Sequence, residues 1–382
     1  MIINKYRLFV FSLLPLFLIT TIRSQPVEDS LRPSIYFQAS TYTGYLYAHH
    51  RSMVYFIENY TRGAQLRVGW RFNGSSDWEK AYRYPSAGVG YMISDFGNPC
   101  MLGYGHAAFG YLDIPIIETN RFVWNYNLGA GLAYVSKKFH LTTNPNNIAI
   151  GSHINSFLLI TSGIEYRPTN KTTLGLDFGL NHYSNGNIAM PNWGLNTFFV
   201  MFGAKQKLDD RQKLSNATVS KATKKWENLI HFGVGYKEIR PIDGTKNFAA
   251  DLHYTIRRRF SHTNSWGGGV DLLYDGSMRK SIKYSAGEYY LAHDSICNPS
   301  FVRNFSPACH ANWSMHFGKI TFNIQMGLYF YNALDRIYFN RWILEVDVTQ
   351  QISLMVALKS HLGSADHIEV GLVWKLNGCF NK

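Results

Sequence analysis

After its first two dozen residues, the sequence lacks any apolar run long enough to form a membrane-spanning helix. Such a helix needs about 20 consecutive apolar residues. The one long apolar run, residues 8–22, follows the basic residues Lys5 and Arg7 and precedes a plausible cleavage position at Ser24. We therefore predict a secretory signal peptide over residues 1–24 rather than an anchor. If the mature chain lies in a membrane, it must cross it with β-strands.

Charged residues and cysteines are also scarce. Only 16% of the residues are charged, which is low for a soluble protein, whereas aromatic residues make up 15% and there are 32 glycines. The four cysteines match no metal-binding spacing, although Cys297 and Cys309 flank a loop and could form a disulfide. The histidines, including His106, His153 and His310, lack metal-ligand spacing as well. We expect no metal and no cofactor.

The net charge of +13 has two open interpretations. The lysines and arginines can simply occupy barrel interiors and loops. They can also attract the phosphorylated, anionic head groups of lipids. The basic residues are scattered and no nucleic-acid-binding fold signature accompanies them, so we expect no nucleic acid partner.

Short segments of alternating polarity, separated by turn residues, continue through the whole mature chain. This pattern predicts an all-β fold, a transmembrane antiparallel β-barrel of the bacterial outer membrane with about sixteen strands. We favour one large barrel, with two tandem eight-stranded barrels as the alternative. The predicted strands cover residues 34–47, 65–72, 87–93, 102–114, 122–135, 154–166, 172–184, 195–205, 229–238, 248–258, 266–274, 308–316, 319–331, 337–348, 352–361 and 367–376.

The connections divide the chain into two strand-rich halves, residues 25–206 and 227–382. A charged segment without alternation, residues 207–226, links them, and we interpret it as a periplasmic connection that has room for a short helix. Residues 275–304 are predicted to be a long outer loop. Short links alternate with longer ones, as periplasmic turns and extracellular loops do. With the N-terminus inside, the loop at residues 185–193 lies at the outer surface.

Residues 174–202 carry the most informative pattern. Read with a period of two, one face combines apolar and reactive side chains: Leu174, Leu176, Phe178, Leu180, His182 and Ser184. A Gly/Asn/Pro-rich loop follows, and the next strand returns. If Ser184 lies opposite Gly194, then His182 lies opposite Asn196, close enough for their side chains to touch. The three polar side chains would then meet on the lipid-facing side near the rim, a placement that suits an enzyme acting on a membrane lipid.

The residues HYSN at 182–185 and PNWG at 191–194 resemble the signature of the outer-membrane lipid A 3-O-deacylases, also described as acyloxyacyl hydrolase-like proteins. The resemblance is sharp over about 174–205, extends back to about residue 34, and says nothing about the chain after Lys207. It implies an eight-stranded barrel with a serine esterase site on its outer surface. By position, it makes Ser184 the nucleophile and His182 the base. The implied oxyanion-hole donors are the backbone N–H of Asn185 and the side chain of Asn192.

The third catalytic position departs from the family, whose acid is a glutamate, because the nearest match here is Asn196. An amide oxygen can orient the imidazole but supplies no negative charge, so we expect a slower enzyme. His182 and Ser184 lie about 6.5–7 Å apart along one strand face, so their side chains can meet. Each oxyanion donor is worth about 2.7–4 kcal/mol in other hydrolases.

These features predict an outer-membrane esterase that removes an ester-linked acyl chain from lipid A, or from a related lipid of lipopolysaccharide, in the outer leaflet. The alternative is a non-catalytic barrel, either a channel or a structural protein, that keeps the deacylase fold. A second constellation, Lys359, His361, Asp366 and Glu369, is interpreted as a lumenal ion-pair group in which Lys359 and Glu369 are cross-strand partners. A second active site or solute pathway is the weaker interpretation of that group.

Overall fold

The structure, a computed structural model, describes residues 34–208, 214–215, 217–222, 224–241, 244–285 and 300–376. The predicted signal peptide, residues 1–24, lies outside these ranges. So does Cys297, the expected partner of Cys309, and within the described chain Cys100 and Cys309 are free cysteines.

All sixteen predicted strands are present, joined by antiparallel pairing throughout. The first eight are β1 (Ser34–Leu46), β2 (Thr61–Arg71), β3 (Ser86–Asp95), β4 (Tyr104–Glu118), β5 (Phe122–Val135), β6 (Ile154–Tyr166), β7 (Thr172–Ser184) and β8 (Leu195–Lys207). The second eight are β9 (Lys225–Lys237), β10 (Asn247–Arg259), β11 (Asn264–Asp275), β12 (Phe305–Phe317), β13 (Ile320–Tyr329), β14 (Tyr338–Asp347), β15 (Ile352–His361) and β16 (Ser364–Lys375).

The strands close into two barrels of eight, not into the single sixteen-stranded barrel that we favoured. β8 pairs back onto β1, and β16 pairs back onto β9. Alternation predicts each strand and its faces, but the edges that pair at closure are decided only by the three-dimensional course of the chain. The tandem arrangement, our alternative, is therefore the correct one.

Among the described residues, helices are few and short. α1 (Asp77–Ala81) lies between β2 and β3, and α2 (Met278–Ser285) lies in the segment predicted as a plain loop at 275–304. Single turns of 3-10 helix cover Arg51–Phe56 and Phe301–Asn304. Within the described residues, no helix has the length and apolar content needed to cross a bilayer.

The alternation has the predicted orientation, apolar side chains outward and a packed interior. In β5, Phe122, Trp124 and Tyr126 are exposed, whereas Asn125 and Asn127 are buried in the lumen. An exposed apolar belt of this kind faces lipid in outer-membrane barrels.

The two lumens have different contents. Aromatic and aliphatic side chains, among them Phe56, Phe157 and Tyr183, fill the first barrel near the rim where β7 ends. The second barrel is filled by a network of charged and polar side chains centred on Arg341, which is fully buried. A barrel of eight strands is narrow enough for side chains to fill it.

The predicted cross-strand pair of Lys359 and Glu369 is wrong. Lys359 lies opposite His367, and Glu369 lies opposite Ala357, in the regular part of the β15–β16 pairing. Lys359 instead forms an ion pair with Asp366. A β-bulge between Lys359 and Ser360 changes only the pairings nearer the turn. Alternation predicted that both side chains face the lumen, but it did not fix which residues of the two strands lie opposite each other.

The two barrels touch at both ends. At one end, the ring of Tyr82, just after α1, stacks on Phe317 with centroids 4.7 Å apart, and its hydroxyl donates to the carbonyl of Thr263. At the other end, the loop after β7 contacts the beginning of β16 and the segment after β9. This second contact adjoins the residues singled out by the sequence, and we call that end of the barrels the site rim.

Candidate active site

The side chains of Ser184, His182 and Asn196 form a continuous hydrogen-bonded row at the site rim. The His182 Nε2 atom lies 2.8 Å from Ser184 Oγ, and His182 Nδ1 lies 2.7 Å from Asn196 Oδ1. An amide oxygen can only accept, so Nδ1 carries the proton and donates it to Asn196. The Nε2 lone pair of the neutral ring therefore faces the serine hydroxyl.

Strand geometry explains why these residues meet. β7 and β8 pair with His182 directly opposite Asn196, which confirms the predicted register. His182 and Ser184 are two residues apart on β7 and share its outward face, which Leu174, Leu176 and Phe178 continue as exposed residues toward the middle of the barrel wall. The row thus lies on the outward side of the barrel wall, above the apolar belt, where Ser184 is 6% exposed and His182 is half-buried.

Gly194 provides the space that the imidazole occupies. Its φ of +76° is a backbone conformation that favours glycine. A Cβ atom at this position would lie 2.8 Å from His182 Cε1 and 3.4 Å from Ser184 Cβ. The glycine in the PNWG segment is therefore required by the packing of the histidine, a role that its sequence context did not specify.

His49 belongs to the site although sequence reasoning missed it. Asn196 donates from Nδ2 to His49 Nδ1 at 3.1 Å, which extends the row to four side chains. His49 comes from the loop after β1, 147 residues away in sequence from Asn196. Nothing in the local sequence around His49 signals this contact, because the closure of β8 onto β1 creates it.

The predicted oxyanion-hole residues contact each other. The backbone N–H of Asn185 donates to Asn192 Oδ1 at 2.9 Å, and the Asn192 amide donates to Asn187 Oδ1 at 3.3 Å. The side chain of Asn185 points elsewhere and donates to Ser152 Oγ and to the carbonyl of Ala189. The structure therefore brings both predicted donors beside Ser184, with the Asn185 N–H engaged by Asn192.

The second barrel holds the loop that carries these donors. The N–H of Met190 donates to Glu238 Oε2 at 2.7 Å, and the N–H of Glu238 donates to the carbonyl of Asn187 at 2.8 Å. The Asn187 amide donates to the carbonyl of Ala365. Lys246 pairs with Glu238 at 2.6 Å. Lys246 also donates to the carbonyl of Ile188, so three residues of the second barrel or its loops, Glu238, Ala365 and Lys246, are joined to the loop of the first.

A shallow apolar groove of about 490 Å³ lies on the outer wall next to the row. Leu180 and Phe198, which line it, are the outward residues next to His182 and Asn196 along their strands. Its other outward lining side chains include Tyr45, Tyr126, Ile160, Phe178 and Val200.

Two family models match the chain, one in each barrel. Residues 64–205 match the model described as lipid A 3-O-deacylase (PagL), and residues 226–378 match the model described as acyloxyacyl hydrolase, C-terminal domain. The second match covers the half of the chain about which the sequence motif gave no information.

Solved outer-membrane barrels are similar to parts of the chain. The crystal structure of the outer membrane enzyme PagL is 16% identical, with 44% of this chain and 97% of that chain covered and a TM-score of 0.30. Neisserial surface protein A is 12% identical, with 46% and 97% covered and a TM-score of 0.32. A mutant of the Rh. blastica porin is 7% identical, with 90% and 100% covered and a TM-score of 0.17. No curated protein matches the chain significantly.

Proposed function

The chain belongs to the lipid A 3-O-deacylase family, and we propose that it hydrolyses an ester-linked acyl chain of lipid A in the outer membrane through Ser184 and His182. The observation that carries the proposal is the row from Ser184 through His182 to Asn196 on the lipid-facing surface. A reactive serine and histidine on that surface can meet an ester that is itself embedded in the membrane.

The tautomer of His182 determines the first step of the proposed reaction. The Nε2 lone pair of His182 accepts the proton of the Ser184 hydroxyl as Oγ attacks the ester carbonyl, because a serine hydroxyl is a weak nucleophile until a base removes its proton. The imidazolium then protonates the leaving alkoxide, and a water molecule, deprotonated by His182, hydrolyses the acyl-enzyme. The products are a free fatty acid and a lipid that has lost one acyl chain.

The oxyanion requires hydrogen-bond donors that point at it. Asn185 N–H and the Asn192 amide are our candidates. In the absence of substrate, the Asn185 N–H donates to Asn192 Oδ1, so we infer that the negative oxygen of the intermediate takes the place of that amide oxygen. A rotation of the Asn192 side chain would present its NH₂ group instead.

Asn196 in the third position limits the rate in this mechanism. It holds the imidazole in the productive tautomer but supplies no negative charge to stabilise the imidazolium. We infer that the enzyme is slower than a relative with a carboxylate at this position.

The apolar groove supplies a place for the acyl chain. It begins beside the row and is lined by aliphatic and aromatic side chains of the outer wall, such as Leu180, Phe198 and Val200. A passive channel through the first barrel is the competing function, and the aromatic side chains packed in that lumen argue against it.

Mass spectrometry of lipid A tests the proposal directly. Cells expressing the wild-type chain are expected to contain lipid A that is lighter by one acyl chain, whereas cells expressing Ser184→Ala are expected to contain unchanged lipid A. Heat-modifiable migration on an SDS gel checks that the variant barrel folds. Lipid A of unchanged mass in the wild-type cells, or equal deacylation by the variant, would remove the assignment.

A further inference from the structure

Three potential metal ligands converge inside the second barrel, in a part of the molecule that the proposed deacylase mechanism does not use. Asp251 comes from β10, and His367 and Glu369 come from β16. Each residue offers one ligand atom, a carboxylate oxygen or an imidazole nitrogen, and these three atoms all lie within 4.8 Å of one another. All three residues are buried, with exposures of 0%, 1% and 0%.

Each residue also presents a buried atom that lacks a hydrogen-bond partner among the described residues: Asp251 Oδ1, His367 Nε2 and Glu369 Oε2. A buried polar atom without a partner costs about 1–3 kcal/mol, and more when it is charged. Three such atoms in one cluster offer lone pairs that a single cation can accept.

The second ring nitrogen of His367 has a partner that sets the tautomer. Nδ1 lies 3.3 Å from Asp366 Oδ2, and a carboxylate can only accept from it. With the proton on Nδ1, the lone pair is on Nε2 and faces the Glu369 carboxylate, whose Oε1 atom is 3.5 Å away. A histidine that donates from one nitrogen to a carboxylate and offers the other to a cation is the usual arrangement in protein metal sites.

The local charge favours a divalent cation. Arg341 forms ion pairs with Asp251 at 2.6 Å, with Asp271 at 3.1 Å and with Glu369 at 3.2 Å. Over the part of the chain that the structure describes, Arg341 is the one lysine or arginine that pairs with these three acids. Lys359, which pairs with Asp366, also acts on Asp251 and Glu369. A divalent ion would add positive charge between the two carboxylates of Asp251 and Glu369.

We propose that Asp251, His367 and Glu369 bind one divalent transition-metal ion. One imidazole and two carboxylates form a ligand set that suits Zn²⁺ and Mn²⁺ better than Ca²⁺, which prefers oxygen ligands alone. The ion would connect β10 to β16 across the lumen, where β9 separates the two strands in the wall. Its role would be to stabilise the second barrel.

The test uses the folded full-length protein in detergent. The protein is treated with a chelator, dialysed against Zn²⁺, desalted, and analysed for bound metal, and the affinity is measured by calorimetry. Wild-type protein is expected to retain one equivalent of Zn²⁺. His367→Gln and Asp251→Asn are expected to lose it, because their affinity for Zn²⁺ should be roughly tenfold or more below that of the wild type. His316→Gln is the matched control, because His316 lies in the same lumen and bonds to Ser265 and Thr321 instead.

Co²⁺ in place of Zn²⁺ gives an independent readout, since its visible absorption reports coordination by the protein. The spectrum is expected in the wild type and in His316→Gln and is expected to be absent in His367→Gln.

Wild-type protein that retains no ion would overturn the proposal without any need for a variant to fold. Equal retention by His367→Gln and His316→Gln would overturn it as well. Infrared spectroscopy checks whether Asp251 and Glu369 share a proton instead of binding a metal. In that case metal-free wild-type protein would show a carboxylic acid band that persists when Zn²⁺ is added and disappears in Glu369→Gln, and this result would also overturn the proposal.

Discussion

The carboxylate of Glu238, in the second barrel, accepts a 2.7 Å hydrogen bond from the backbone N–H of Met190, in the loop of the first barrel that carries Asn192. The same carboxylate is paired with Lys246. The second barrel therefore helps to fix the position of the proposed oxyanion-hole loop.

Removing that carboxylate is expected to slow the enzyme without unfolding either barrel. Glu238→Ala should reduce the rate of lipid A deacylation about tenfold, the order expected when one hydrogen bond to a charged acceptor is lost. Asp347→Ala is the control, since Asp347 also pairs with a lysine in the second barrel, Lys375, but at the opposite end. Equal rates for the two variants would show that the loop does not depend on the second barrel.

Restoring a carboxylate beside His182 is expected to accelerate the reaction. Asn196→Glu should raise kcat roughly tenfold, because a negative charge stabilises the imidazolium that forms in the transition state, and acid–base catalysis as a whole contributes about 10²–10⁴-fold. Asn196→Gln has the same length without the charge and should not exceed the wild type. Steady-state kinetics on purified protein in lipid-containing micelles distinguish the two. A Glu variant no faster than the Gln variant would show that charge at this position is not what limits the rate.

His49 is expected to support catalysis through Asn196. His49→Phe keeps a ring beside Trp193 but removes the acceptor of the Asn196 amide, and should lower kcat about fivefold, which corresponds to the loss of a hydrogen bond worth about 1 kcal/mol. His50→Phe provides the comparison, because His50 also contacts Trp193, with centroids 4.3 Å apart, and forms its hydrogen bonds with Ser52. The prediction fails if both variants have the same kcat.

The groove can be tested by filling it. Val200→Trp places an indole against the proposed path of the acyl chain, so deacylation of lipid A should fall strongly while hydrolysis of a short-chain ester changes little. Val89→Trp makes the same substitution at another lipid-facing position, on β3 and outside the groove lining, and should leave both activities unchanged. A parallel loss of both activities in Val200→Trp would indicate damage to the catalytic row rather than a blocked groove.

The sequence determined much of the wall and its chemistry. A period of two is a property of neighbouring residues, so alternation predicted all sixteen strands and the outward face of β7. The contact between His182 and Asn196 followed from an assumed pairing of Ser184 with Gly194, and the observed register places His182 opposite Asn196.

Contacts between distant strands were decided only by the tertiary structure. Closure of β8 onto β1 makes two barrels rather than one and brings His49 to Asn196. Closure of β16 onto β9 brings His367 and Glu369 within reach of Asp251, although no sequence spacing marks them as ligands. The register of the β15–β16 hairpin places Lys359 opposite His367 rather than opposite Glu369. Alternation is set by each residue and its neighbours, whereas closure, bulges and the contact between barrels depend on the packing of the whole chain.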